Sequence, residues 1–78
     1  MRRMTKKDVT GKVVILPGTT STANENGGYK KIGYNAGVNG WNWSAYKRDN
    51  DPVLYIQGYR NLPKKNKKTL DIYLSQDL

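Results

Sequence analysis

Cysteine, histidine and phenylalanine are absent from this sequence. Without cysteine there is no disulfide staple and no thiolate metal site. Without histidine the commonest general base, the commonest metal ligand and the near-neutral pH switch are all missing. Without phenylalanine, two tryptophans and six tyrosines must supply all aromatic packing. Negative charge is also scarce: six Asp and Glu stand against fourteen Lys and Arg, a net charge of +8. Long apolar runs are missing too. The basic start, Met1-Arg2-Arg3-Met4-Thr5-Lys6-Lys7-Asp8, leads into no signal-like apolar stretch of roughly 7–15 residues. Nothing later approaches the ~20 apolar residues of a membrane span. The expectation is a cytoplasmic chain with no membrane partner.

What is present fits one small domain. A chain of 78 residues buries only about 60–65% of the surface its unfolded form exposes, so its stability margin is thin. The net positive charge draws polyanions and speeds association, without saying anything of the fold. Nucleic acid, DNA or RNA, is the expected partner of such a chain, with an acidic protein as the alternative.

Strand signals dominate. Residues 1–8 read as a flexible basic arm, and residues 9–78 as a single small β domain. Val13-Val14-Ile15-Leu16 is β-branched and stops at Pro17-Gly18, which predicts a strand over 9–16. Residues 19–28 are polar and end in the turn signal Asn26-Gly27-Gly28. A second strand is predicted over 29–34, with Lys30, Ile32 and Tyr34 on one face. Alternation in the third, 41–47, sets Trp41, Trp43 and Ala45 against Asn42, Ser44 and Tyr46. The fourth, 53–59, is the clearest, with Leu54 and Ile56 opposite Val53, Tyr55, Gln57 and Tyr59. Residues 69–75 suit a fifth strand through Leu70, Ile72 and Leu74. A short C-terminal helix is the competing reading, since Leu70, Tyr73 and Leu74 also fit helical spacing. The resulting expectation is an all-β fold, a five-stranded antiparallel meander closing into a small SH3-like barrel. The exposed edges of so small a domain make a homodimer reasonable.

Enzyme signatures are missing, and no catalytic residue, cofactor or metal is expected. Asp49 and Asp51 are the one close carboxylate pair, but Asn50 between them and Pro52 after them read as a hairpin turn. Serine and threonine hydroxyls have no histidine base and no nucleophile-elbow motif. Positive charge concentrates in two places. Lys64, Lys65, Lys67 and Lys68 flank Asn66 in one run, and Arg2, Arg3, Lys6 and Lys7 lie in the arm. Both are candidate phosphate contacts. Aromatic residues are interleaved with cations, which makes Trp41, Tyr46, Lys47, Arg48, Tyr55, Tyr59 and Arg60 candidates for base stacking or cation contacts. Pairing of the third and fourth strands across the turn at 48–52 would bring Tyr46 beside Tyr55. Trp43 and Tyr34 are the aromatic residues assigned to the core.

Gly33-Tyr34-Asn35-Ala36-Gly37-Val38-Asn39-Gly40-Trp41-Asn42-Trp43, followed by Gly58-Tyr59-Arg60-Asn61-Leu62-Pro63, resembles short uncharacterised proteins of bacteriophages and mobile elements from low-GC Gram-positive bacteria. The resemblance includes no motif of known chemistry. It implies a regulatory or host-takeover accessory protein of the bacterial cytoplasm. The expected function is thus a small basic nucleic-acid-binding module of low sequence specificity. The alternatives are an accessory factor docking on a host protein through the strand at 41–46 and Tyr59-Arg60, and an oligomeric structural protein.

Overall fold

In the computed structural model the described residues are 2–19, 28–60 and 67–77. Five strands make one sheet: β1 Arg2–Arg3, β2 Val13–Ile15, β3 Lys30–Asn35, β4 Trp43–Lys47 and β5 Leu54–Gly58. A single α-helix, α1 Lys67–Ser75, follows, and short 3-10 turns occupy Lys6–Asp8 and Val38–Gly40. The strand order is β1-β3-β4-β5-β2. β3, β4 and β5 pair antiparallel, whereas β1 joins β3 and β2 joins β5 in parallel.

The expected antiparallel meander and SH3-like barrel are therefore incorrect. The sheet is mixed and open, with β1 and β2 as its edges. A meander needs β2 to turn back onto β3. Instead β2 crosses to the far side of β5, a parallel arrangement that demands a connection of about a dozen residues or more. The polar stretch between Ile15 and Lys30 supplies that length. A hairpin would have wasted it, and this is the cue that alternation alone does not register.

The fifth expected strand, over 69–75, is also incorrect, and the competing helix is what forms. Leu70, Tyr73 and Leu74 recur at the i, i+3, i+4 spacing that puts side chains on one helical face. Tyr73 is fully buried against Met4, Trp43, Ala45, Leu54 and Ile56, with Leu70 and Leu74 packed beside them. Asp71 faces solvent. A short apolar segment fits either period, and the uncovered sheet face decides in favour of the helix.

Within the arm, Arg2 and Arg3 form an edge strand of the sheet. Arg2 and Arg3 pair with Gly33 and Tyr34, and the Met4 amide donates to the Tyr34 carbonyl at 2.7 Å. Met4 is buried in the core. The turn behind it is held by Asp8, whose carboxylate accepts from the Thr5 amide at 2.9 Å and from Arg2 at 2.7 Å. The Thr5 amide is the main reason the Asp8 carboxyl sits below its usual range. Asp77 accepts from the Lys6 amide at 2.9 Å, which ties the two ends of the described chain together.

One irregularity decides which side chains share a face. β3 carries a bulge between Lys31 and Gly33, so that Lys31 opposes Tyr46 and Gly33 opposes Ala45. The extra residue, Ile32, is exposed. Beyond the bulge the alternation is shifted by one. Gly33 therefore turns toward the core, where a Cβ would overlap the Met4 side chain. Tyr34 turns the other way. Assigned to the core to make up for the missing phenylalanine, it is instead 38% exposed. Trp43 takes the core position expected of it. No described helix is long and apolar enough to cross a membrane.

Candidate nucleic-acid interface

Registration across the sheet gives it two unlike faces. Trp43, Ala45, Leu54, Ile56, Val13 and Ile15 line the face that α1 covers. The opposite face carries five of the six tyrosines. Tyr46 and Tyr55 are direct cross-strand partners, as expected from pairing across the turn. Tyr34 pairs with Ser44, which pairs with Gln57. Tyr59 follows Gly58 and so falls on the side of Tyr55 and Gln57, while Tyr29 stands edge-on to Tyr55 with ring centroids 5.0 Å apart.

The centre of this tyrosine face is closed and its margin is open. Tyr46, Ser44 and Gln57 are buried, and the Gln57 side-chain amide donates to the Pro17 carbonyl where the connection from β2 begins. Tyr46, expected to stack on bases, is at 0% exposure and offers no ring to a ligand. Burial pushes its hydroxyl above the usual phenol range. Tyr34 at 38% and Tyr59 at 45% are the exposed aromatic side chains among the described residues. Val14 and Ile32 are exposed on the margins as well.

A compact cation–aromatic group closes one end of the face. The Arg48 guanidinium lies 4.1 Å from the Tyr29 ring centroid and 5.6 Å from that of Tyr55, and it donates to the Tyr29 hydroxyl. The Tyr55 hydroxyl donates to Asp51 at 2.6 Å, and the other Asp51 oxygen accepts from the Val53 amide at 2.9 Å. That hydrogen bond raises the pKa of Tyr55 and, with the Val53 amide, lowers that of Asp51. Asn50 adopts a positive φ of 63°, so residues 48–52 form the turn that the Asp-Asn-Asp-Pro pattern predicts. Asp49 pairs instead with Lys30 at 3.0 Å, in an exposed bridge. The two carboxylates serve different partners, and the described residues hold no cluster of acidic groups suited to a metal ion.

The remaining candidates do not gather there. Trp41 belongs to the helix face, edge-on to Tyr73 at 5.8 Å, with the Arg60 guanidinium 4.7 Å from its ring. Arg60 also donates to the Asn39 carbonyl, and its own carbonyl accepts from the Tyr73 hydroxyl at 2.9 Å. Lys47 points with Trp43 and Ala45, away from the tyrosines, and is exposed. Of the arm residues, Arg3 sits opposite Tyr34 in register, Arg2 is engaged by Asp8, and Lys6 and Lys7 are exposed in the first 3-10 turn. Lys67 and Lys68 open α1, while Lys64 and Lys65 lie outside the described residues. Sequence reading missed Tyr29, Lys31 and Tyr34 as members of this face. Tyr29 and Lys31 alternate together on one strand, and the register that sets Lys31 opposite Tyr46 brings both to this face. For Tyr34 the bulge hid it. The chain matches no family model, no curated protein and no solved structure.

Proposed function

We propose that this protein is a small cytoplasmic nucleic-acid-binding module of low sequence specificity, and that its contact surface is the tyrosine face of the sheet. The observation that carries this reading is the concentration of five tyrosines on one face, with exposed rings at its margin and Arg3, Lys31 and Arg48 among them. Rings stack on any base, and cations neutralise the backbone without reading sequence, so such a surface binds single strands broadly. The net charge of +8 supplies the long-range attraction. The protein-docking alternative relied on the strand at 41–46 together with Tyr59-Arg60; β4 is the central, buried strand, so only Tyr59 and Arg60 of that set stand exposed.

The test is fluorescence anisotropy of a labelled oligothymidylate and a labelled oligouridylate across a salt series. Four phosphate contacts to a single strand give a log–log slope of about −3, or roughly a fiftyfold fall in affinity between about 50 and 200 mM salt. Replacing Arg3, Lys31 and Arg48, the cations of that face, by alanine should flatten that slope. Absence of binding at low salt overturns the proposal. A sedimentation mass several times 8.9 kDa would instead favour an oligomeric structural role.

A further inference from the structure

Resting on that reading, we infer that Tyr34 and Tyr59 are the two base-stacking rings, and that a bound single strand is splayed so that they take bases two nucleotide steps apart. The sheet register fixes their separation. Tyr34 stands opposite Ser44, and Ser44 opposite Gln57, so β3 and β5 are two strands apart at this level. Tyr59 lies two residues further along β5. Strand spacing of ~4.8 Å and a rise of ~3.3 Å per residue set the two side-chain roots about 12 Å apart on the diagonal. A stacked strand advances ~3.4 Å per nucleotide and a splayed one roughly twice that, so adjacent stacked bases cannot reach both rings, whereas the outer two of three splayed bases can.

Three features of the surroundings agree with this assignment. Between the two rings lie Ser44 and Gln57, both buried, so the middle of the three nucleotides crosses a closed surface and meets no ring. Arg3, which pairs with Tyr34 through β1, puts a cationic residue at the Tyr34 end. The carboxylates of Asp49 and Asp51 stand at the other end, in the β4–β5 turn, held by Lys30 and Tyr55. Tyr29 and Tyr55 are already committed to each other and to Arg48, so they shape the far end rather than receive bases.

The experiment is competition by short oligothymidylates against a fluorescein-labelled oligothymidylate at low salt, with the full chain. For the unaltered protein, the step from dinucleotide to trinucleotide should tighten binding at least about fivefold, the low end of what one stacked base contributes. Tyr34→Ala and Tyr59→Ala should each remove that step, and Tyr34→Phe and Tyr59→Phe should keep it. A trinucleotide with an abasic middle position should bind within about twofold of the intact one, while an abasic site at either end should cost what the alanine variants cost. Because both rings are exposed, urea midpoints of the variants should match the parent, which separates lost stacking from lost folding. Alanine variants that bind like the parent, with the salt dependence intact, overturn this assignment and leave the broader reading standing. No binding by any oligonucleotide removes both.

Discussion

The same strands build both faces of the sheet, yet the two faces solve opposite problems. On the helix side, Trp43, Ala45, Leu54 and Ile56 meet Met4 and Tyr73 in a sealed core. On the other side the apolar area comes from tyrosine rings, each with a hydroxyl that must be satisfied or left in water. Tyr55 finds Asp51 and Tyr29 finds Arg48, while Tyr34 and Tyr59 keep theirs at the margin. A chain without phenylalanine can thus cover two faces of a thin sheet, sealing one throughout and the other only at its centre. The difference separates a region that holds the fold together from one available to a partner.

Substitution should expose that division most sharply at Trp43. Trp43→Ala should cost about 3–5 kcal/mol, a large share of the ~4–12 kcal/mol expected for a chain of this size. Tyr34→Ala on the other face should change stability by less than ~0.5 kcal/mol. Urea unfolding followed by far-UV circular dichroism reads both, and similar losses at the two positions would break the comparison.

A second, smaller effect belongs to Gly58. A Cβ there would run into the Tyr73 ring, which lies directly over β5. Gly58→Ala should therefore cost about 1–3 kcal/mol by forcing α1 off the sheet. Pairing it with Tyr73→Leu should recover part of the loss, because the clash and the ring vanish together. Strictly additive losses would show that the helix does not depend on this contact.

The mildest test is alkaline pH. Burial raises the hydroxyl pKa of Tyr46 on one face and of Tyr73 on the other. A raised folded-state pKa means the protonated phenol is favoured in the native protein. The stability is therefore fully present below the unfolded value of about 10 and is lost as pH rises through the folded values. Thermal midpoints should drop above about pH 10, and the drop should shrink in Tyr46→Phe and in Tyr73→Phe. At neutral pH, Tyr73→Phe should cost about 0.5–1.5 kcal/mol through the lost bond to the Arg60 carbonyl, a contribution specific to the helix face. A pH profile unchanged in both variants would show that neither hydroxyl carries the effect.

Much of the local structure was readable from residue order. β4 and β5, their turn at Asn50 and the Tyr46–Tyr55 pairing follow from alternation on either side of a short polar loop. So does the split of Trp43 and Ala45 from Ser44 and Tyr46. Three things were not readable. The partner of β2 is a choice between remote strands, and its side chains fit either place. Residues 69–75 satisfy two periods at once. The bulge at Ile32 moves Tyr34 from core to surface without any glycine–asparagine signal to announce it, and it is Met4, nearly thirty positions away, that makes the shift worthwhile.

Sequence alone determined the charge, the lack of acid–base and metal chemistry by histidine or cysteine, and the abundance of strands, because each of these is a property of residue type or of neighbours a few positions apart. Only the tertiary structure decided that the sheet is open and mixed, that its last segment is a helix, and which tyrosines reach the surface. Those outcomes depend on contacts between segments far apart in the chain, where burying one more apolar face outweighs the small differences in local preference.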